Sequence, residues 1–250
     1  MPIVDFVRSI RDEDPGIGQY KLWLMGVNVF GKSMMGRDAF YALLAREGFK
    51  LKRPKPRHTT NSNHRYHKWK NLIKGYVPSG TNLLWVSDIT YIPLTNGRCC
   101  YLHLVTDAYS HKISGWCLSD TLEAKHTLDA LLMAVKQARE IDLSKLIHHS
   151  DRGVQYCCNA YVETLQSLGA SISMTEDYKP TDNGIAERVN GIIKTEKIYR
   201  QSPYNSIEEA RKDIGCFIEF YNDKRPHMSI GYKTPSEVHQ QSGPQERKWK

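Results

Sequence analysis

The sequence predicts an α/β fold, in which a mixed five-stranded sheet is flanked by helices and preceded by a small helical domain. Three observations lead to this prediction. Apolar, β-branched runs separated by turn residues indicate three antiparallel strands over 83–119. Helical and strand patterns then alternate to about residue 222, which is typical of an α/β sheet. The first 49 residues, in contrast, show only helical periodicity.

Residues 1–49 are predicted to form a helix-turn-helix-like domain. A first helix over 1–14 is broken at Pro15, a second covers 19–26, and a third ends at Gly48. Short helices joined by a glycine-containing turn are typical of modules that contact DNA. A plain helical bundle that packs on the rest of the protein is the alternative interpretation.

Residues 50–80 are predicted to form an extended basic linker. Nine Lys and Arg residues and no acid lie between Lys50 and Lys74. Such a segment is too polar to bury a core, and its cations suit contact with phosphates. The candidate DNA-binding residues in it are Lys52, Arg53, Lys55, Arg57, Arg65, Lys68 and Lys70.

The core is predicted over 81–201, followed by a C-terminal helix and tail over 202–250. Asn96-Gly97 marks the first hairpin turn, and Thr121 is predicted to cap a helix that runs to about residue 140. The later elements are expected as a strand at 145–150, a helix over 154–168, a strand at 170–174, a helix from 184 and a last helix over 206–222. This order matches a ribonuclease-H-like fold.

The net charge of +8 is concentrated at one end of the chain. Residues 1–80 contain fifteen Lys and Arg against six Asp and Glu, whereas 81–250 contain twenty against twenty-one. A basic block on a nearly neutral body favours a polyanion partner, most simply nucleic acid.

No apolar run is long enough for a bilayer and no secretory signal begins the chain, so a cytoplasmic protein is expected. The six cysteines lack metal-binding spacing and are interpreted as buried thiols.

Three acids stand where a metal site is expected. Asp88 interrupts an apolar strand, Asp151 follows the strand 145–150, and Glu187 lies in the first turn of the helix that begins near Gly184. Carboxylates at strand ends and on a helix converge on hard divalent cations, and two such ions suit phosphodiester chemistry. Any one of these acids alone would be interpreted as a cap, a turn or a solvated residue. Asp107 is a further strand-end acid, but its Asp-Ala-Tyr-Ser context is typical of a turn.

Five segments together carry a specific resemblance: 85–91 (WVSDITY), 149–156 (HSDRGVQY), 182–187 (DNGIAE), 220–227 (FYNDKRPH) and 233–237 (KTPSE). The chain resembles the integrase core of bacterial insertion-sequence transposases, within the retroviral-integrase-like DDE superfamily. More narrowly, it resembles the second-frame product of two-frame insertion sequences, over nearly the whole chain.

The resemblance implies a transposase, a polynucleotidyl transferase that cleaves DNA strands and transfers them. Asp88, Asp151 and Glu187 would be the catalytic residues and would hold two Mg²⁺ ions, with Mn²⁺ as a substitute. Lys194 would lie near the DNA backbone. Further candidates for DNA contact are Asn183, Lys179 and Arg152, and His149 would orient Asp151 or contact phosphate.

The implied partners are double-stranded DNA (the element ends and the target), further copies of the chain in a synaptic complex, and a first-frame helix-turn-helix protein or fusion. The zinc domain of retroviral integrases is absent from the sequence. Two other functions stay open: a ribonuclease-H-like nuclease, and a non-catalytic DNA-binding protein derived from a transposase.

Overall fold

The computed structural model describes residues 2–51, 67–176, 183–241 and 243. It contains the predicted mixed sheet, whose strands are β1 (Leu84–Pro93), β2 (Cys99–Asp107), β3 (Ile113–Ser119), β4 (Ile147–Ser150) and β5 (Ser171–Met174). The strand order is β3-β2-β1-β4-β5. The first three strands pair antiparallel, whereas β4 pairs parallel to β1 and β5 parallel to β4.

The helices that accompany the sheet are α1 (Pro2–Glu13), α2 (Gln19–Phe30), α3 (Arg37–Arg46), α4 (Ala124–Gln137), α5 (Val154–Cys157), α6 (Asn159–Ser167), α7 (Gly184–Ile192), α8 (Ile207–Asp223) and α9 (Pro235–His239). Beyond α7 the helix continues as a π turn over Ile193–Lys197 and a 3₁₀ turn over Ile198–Arg200. Among the described helices, none is long and apolar enough to cross a membrane.

The first hairpin turn forms as predicted. Gly97 has a φ of +76°, a left-handed conformation that favours glycine, and the Asn96 side chain accepts a hydrogen bond from the Arg98 amide at 2.9 Å. The register of β1 and β2 follows from this turn and pairs Asp88 with Leu104.

Three helix predictions differ from the structure. Thr121 does not cap α4, because its hydroxyl points to the Glu123 side chain at 3.4 Å and Glu123 occupies the N-cap position. The single helix predicted over 154–168 is two helices, since Cys158 adopts an extended conformation between them. In addition, α2 extends four residues beyond the predicted end to Phe30.

Helices cover both faces of the sheet. On one face α7 and α8 pack through buried side chains that include Val189, Ile214 and Phe217. On the other face α4, α5 and α6 pack through Leu131, Tyr156, Tyr161 and Leu165. Because β1 and β4 lie in the middle of the sheet between these layers, polar residues on them are shielded from water.

The N-terminal helices pack on the core through their own apolar cluster. Val7 of α1, Leu22 of α2 and Phe40 of α3 are buried together with Phe220 of α8. This packing is the one that the bundle interpretation expects. Contact of these helices with DNA stays a prediction.

The interpretation of the cysteines as buried thiols is wrong for two of them. Cys99 at the start of β2 and Cys216 on α8 are exposed, whereas Cys100 and Cys157 are buried. The spacing of cysteines in the sequence does not show which of them face solvent at the end of a strand or on a surface helix.

The turn between α1 and α2 approaches the backbone of the core closely. A Cβ atom at Gly16 would overlap the Cα of Glu196, in the π turn after α7. Glycine is therefore required at this position by the approach of another backbone segment. Gly18, two residues later, has nothing within 4 Å of an added Cβ.

We expect Gly16→Ala to lower the free energy of unfolding by about 2 kcal/mol, because the added methyl group forces two backbone segments apart. Gly18→Ala is the matched control and should change it by less than about 0.5 kcal/mol. Urea unfolding of the full chain measures both. Equal stability of the two variants would contradict the docking of α1–α3 described here.

Candidate active site

Asp88 lies in the middle of β1, on the face of the sheet that α7 covers. Val86 on the same face packs with Ala186 of α7. The Asp88 carboxylate is held at both oxygens: Oδ1 accepts from the Ile89 amide at 2.8 Å and Oδ2 from Asn190 Nδ2 at 2.7 Å. The orientation of the carboxylate is therefore set by the strand and by α7 together.

Asp151 follows the last residue of β4. Val86 is paired with His149 in the parallel ladder, and two further residues along each strand bring Asp151 beside Asp88. Asp151 Oδ1 accepts a hydrogen bond from the Gly153 amide at 2.9 Å. A Cβ at Gly153 would stand 2.9 Å from that same oxygen, so a side chain there would displace the Asp151 carboxylate from its present position.

Glu187 lies in the first turn of α7, where the positive end of the helix dipole stabilises a carboxylate. Glu187 precedes Asn190 by three residues, which places both on the helix face toward Asp88. Its side chain is exposed, and the partial burial of its carboxyl group raises the pKa of Glu187.

The three acids interact electrostatically. The pKa of Asp88 is raised to about 7, chiefly by burial and then by the charges of Asp151 and Glu187, against the hydrogen bonds from Ile89 and Asn190. Carboxylate oxygens form a donor set that fits a hard divalent cation, and such a cation would relieve the repulsion that Asp151 and Glu187 exert on Asp88.

Lys194 lies in the π turn beyond α7 and is half-buried. Burial lowers the pKa of its ammonium group, and the charge of Asp88 opposes that shift. The lysine predicted to contact DNA therefore stands within electrostatic range of the acid cluster. Lys194 is seven residues after Glu187, but the helix between them is not regular, since π geometry begins at Ile193.

Asn183 and His149 lie beneath the site. Asn183 is 5% exposed and donates from Nδ2 to the Ser87 carbonyl at 3.0 Å, which attaches the start of α7 to β1. Its predicted DNA contact has no support from this buried position. The His149 ring is fully buried, and its Nδ1 lies 2.8 Å from Ser173 Oγ on β5.

Of the remaining predicted DNA-binding residues, three are described by the structure and six are not. Lys68 and Lys70 are exposed on a segment that runs along β5, where the Met174 amide donates to the Lys70 carbonyl at 3.3 Å. Arg152 is half-buried beside Asp151. The others lie outside the described residues: Lys52, Arg53, Lys55, Arg57, Arg65 and Lys179.

The turn interpretation of Asp107 is confirmed. Its Oδ1 accepts from the Ser110 amide at 2.8 Å and from the Ser110 hydroxyl at 2.6 Å. Asp107 thereby closes the turn between β2 and β3 and does not join the acid cluster.

Two residues near the site were missed in the sequence. Asn190 holds Asp88, and its i+3 spacing from Glu187 was the available signal. Tyr156 of α5 is 2% exposed, and its hydroxyl has no hydrogen-bond partner within the part of the chain that the structure describes. Burial raises its pKa well above the usual value, and the charges of Asp151 and Asp88 add to that rise, so the hydroxyl lies close to the acids.

Comparison with known proteins finds one family repeatedly. Models of the integrase core domain match residues 78–180 and 168–235. A putative transposase for insertion sequence element IS986/IS6110 of Mycobacterium tuberculosis is 29% identical over 252 residues, covering 92% of this chain and 88% of that protein. The insertion element IS600 31 kDa protein of Shigella sonnei is 33% identical over 208 residues, covering 81% and 74%.

Among solved structures, the fold is similar to a chain of the simian T-cell lymphotropic virus intasome in complex with a PP2A regulatory subunit. The TM-score is 0.52 at 19% identity, over 93% of this chain and 76% of that one. The predicted fold class is thereby confirmed.

We expect Asp88→Asn to make stability less dependent on pH when divalent cations are chelated. The folded-state pKa of about 7 exceeds the ordinary 3.8, so ionising Asp88 costs stability as the pH rises from about 4 to 7. Above that range the variant should be more stable than the parent chain by up to about 4 kcal/mol, with the gap closing toward pH 4.

Urea unfolding across this pH range tests the expectation, with the exposed Asp12→Asn as the control whose difference from the parent stays constant. A constant difference for Asp88→Asn as well would show that Asp88 is not buried among like charges.

Proposed function

Because the chain belongs to the integrase core family and is an insertion-sequence transposase, we propose that Asp88, Asp151 and Glu187 are the catalytic residues with which it cleaves and joins DNA. The observation that carries this proposal is the position of Asp88, on β1 beside the strand that leads to Asp151 and bonded to Asn190 of the helix that carries Glu187. The charges of both acids act on its carboxylate.

The proposed cofactor is a pair of Mg²⁺ ions, with Mn²⁺ as a substitute, held by these three carboxylates. When bound, the ions neutralise the carboxylates and stabilise charge on the attacking and leaving oxygens of a phosphodiester. The protein's part is positional: Asn190 and the Ile89 amide fix the Asp88 oxygens, and the Gly153 amide fixes Asp151.

Two successive displacements at phosphorus account for transposition. In the first, a water oxygen forms a bond to phosphorus, the bond to the 3′ oxygen breaks, and that oxygen leaves as a 3′-hydroxyl after taking a proton. In the second, this 3′-hydroxyl attacks a phosphodiester of the target strand, and a new 3′-hydroxyl leaves. The same carboxylates serve both steps because the reacting groups are the same.

The proposed DNA surface comprises Lys194, Arg152, Lys68 and Lys70 among the described residues. Lys68 and Lys70 are exposed, and Lys194 stands near the acids, where a scissile phosphate would have to lie. The oligomer of the synaptic complex and a first-frame partner stay predictions from the sequence.

Two alternatives remain as outcomes of the test. A ribonuclease-H-like nuclease would prefer RNA–DNA hybrids, and a non-catalytic derivative would bind DNA without cutting it. The extensive similarity to insertion-sequence transposases favours transposition over both.

Asp88→Asn, Asp151→Asn and Glu187→Gln should each reduce cleavage and strand transfer by at least about a thousandfold, as expected when groups that stabilise transition-state charge are removed. The assay uses the purified chain, Mg²⁺ and duplex DNA carrying the ends of its own element. DNA binding, followed by gel shift, should stay within about threefold of the parent.

Glu163→Gln is the matched control, since Glu163 is exposed on α6 on the other side of the sheet. It should retain full activity. Near-normal strand transfer by any of the three site variants would refute the assignment, and preferential cutting of RNA–DNA hybrids would favour the nuclease.

Lys194→Ala should weaken DNA binding and reduce the slope of log K against log salt by about one, because one phosphate contact is lost. Lys212→Ala, an exposed lysine on α8, should leave the slope unchanged. Fluorescence anisotropy at several salt concentrations measures both slopes. Identical slopes for the two variants would remove Lys194 from the DNA surface.

A further inference from the structure

A second group of ligand-type side chains lies on the opposite side of the sheet from α7, at its β3 edge. Cys117 is on β3, and His126 and Asp129 are in the first turns of α4. A sulfur, an imidazole nitrogen and a carboxylate oxygen of these residues lie within 4.8 Å of one another. The acid cluster lies on β1 and β4, so the two groups are distinct.

Close packing of α4 on β3 brings these residues together. A Cβ at Gly115 would overlap the carbonyl oxygen of Ala130, so the absence of a side chain lets the helix lie directly on the strand. Cys117, two residues further along β3, faces the same way as Gly115 because strand side chains alternate. Backbone packing therefore places Cys117 against α4, and Asp129 reaches the cluster from an exposed position on that helix.

The environment of the cluster favours a cation. A cavity of about 530 Å³ adjoins it and is lined by Asp120 and Glu208 as well as by the three residues themselves. The guanidinium of Arg211 also lines this cavity, but its Nη2 donates to the Leu118 carbonyl at 3.0 Å. Carboxylates thus outnumber guanidinium groups in the lining.

A Cys-His-Asp set is also the composition of a nucleophilic triad, but the geometry here is wrong for one. Burial and the charge of Asp129 raise the pKa of the Cys117 thiol, which is the reverse of activation. His126 Nδ1 lies 3.7 Å from Asp129 Oδ2, too far for the hydrogen bond that would orient a general base.

We propose that Cys117, His126 and Asp129 bind one zinc-type transition-metal ion, with the adjoining cavity open to a fourth, non-protein ligand. Thiolate, imidazole and carboxylate form the mixed ligand set that Zn²⁺ accepts and that Mg²⁺ does not prefer. Bond lengths of about 2.0–2.3 Å put tetrahedral ligand atoms roughly 3.5 Å apart, so a shift of about 1 Å closes the site. Binding releases the thiol proton to solvent as the metal–sulfur bond forms.

Cobalt(II) is the probe, because tetrahedral Co²⁺ bound to a thiolate has a near-ultraviolet charge-transfer band that an all-oxygen site does not give. We expect the reduced full-length chain to show this band at one equivalent of Co²⁺ and to lose it when Zn²⁺ is added. Since the band needs sulfur, it reports on this site whatever the result for Asp88, Asp151 and Glu187.

Cys117→Ser should abolish the band, and His126→Gln and Asp129→Asn should each weaken Co²⁺ binding at least tenfold. Cys216→Ser, at an exposed cysteine on α8, is the matched control and should keep it. Circular dichroism verifies that each variant is folded. No band in the parent chain, or a band that survives in folded Cys117→Ser, would overturn the proposal.

Discussion

A buried ion pair between Arg225 and Glu196 determines where the candidate active site can form. Arg225 is 1% exposed, and its Nε and Nη2 donate to the two Glu196 oxygens at 2.7 and 2.6 Å. Such a bidentate pair fixes direction as well as distance. Glu196 lies in the π turn two residues after Lys194, on the continuation of the helix that carries Glu187. The pair therefore fixes the far end of that helix, while Asn183 and Asn190 attach its near part to β1.

Asp14, which follows α1, and Lys21 of α2 lie against the same pair and so join the N-terminal helices to the core. Burial and the nearby Glu196 raise the pKa of Asp14 to about 8, so Asp14 is protonated in neutral solution. Burial would also raise the pKa of Glu196, but the hydrogen bonds and charge of Arg225 outweigh it and leave the pKa at about 2. Glu196 is then the ionised acid that faces two cations, the Arg225 guanidinium and Lys21 Nζ at 3.5 Å. Buried pairs contribute specificity of packing more than net stability, which suits a docking contact.

The sequence predicted the sheet and the three acids because both depend on local signals. A carboxylate inside an apolar strand, as at Asp88, costs free energy to bury, so its presence indicates a functional site. The Asn-Gly turn sets the register between β1 and β2. The burial of Asn183 and the pairing of Arg225 with Glu196 could not be predicted from local sequence patterns. Those interactions join residues 29 to 96 positions apart, and no periodicity connects them. The π turn also left no local signal, since Ile193–Lys197 has an ordinary helical composition.

On the proposed function, the charge distribution of the chain divides between binding and chemistry. A site that holds divalent cations must be negative, and lysines inside it would compete for the carboxylates. Lys194 is the exception, since burial lowers its pKa while the charge of Asp88 counteracts that effect. A DNA phosphate bound near Asp88 would therefore meet Lys194. The turn that carries this lysine also carries Glu196, so the Arg225–Glu196 pair fixes where the lysine stands.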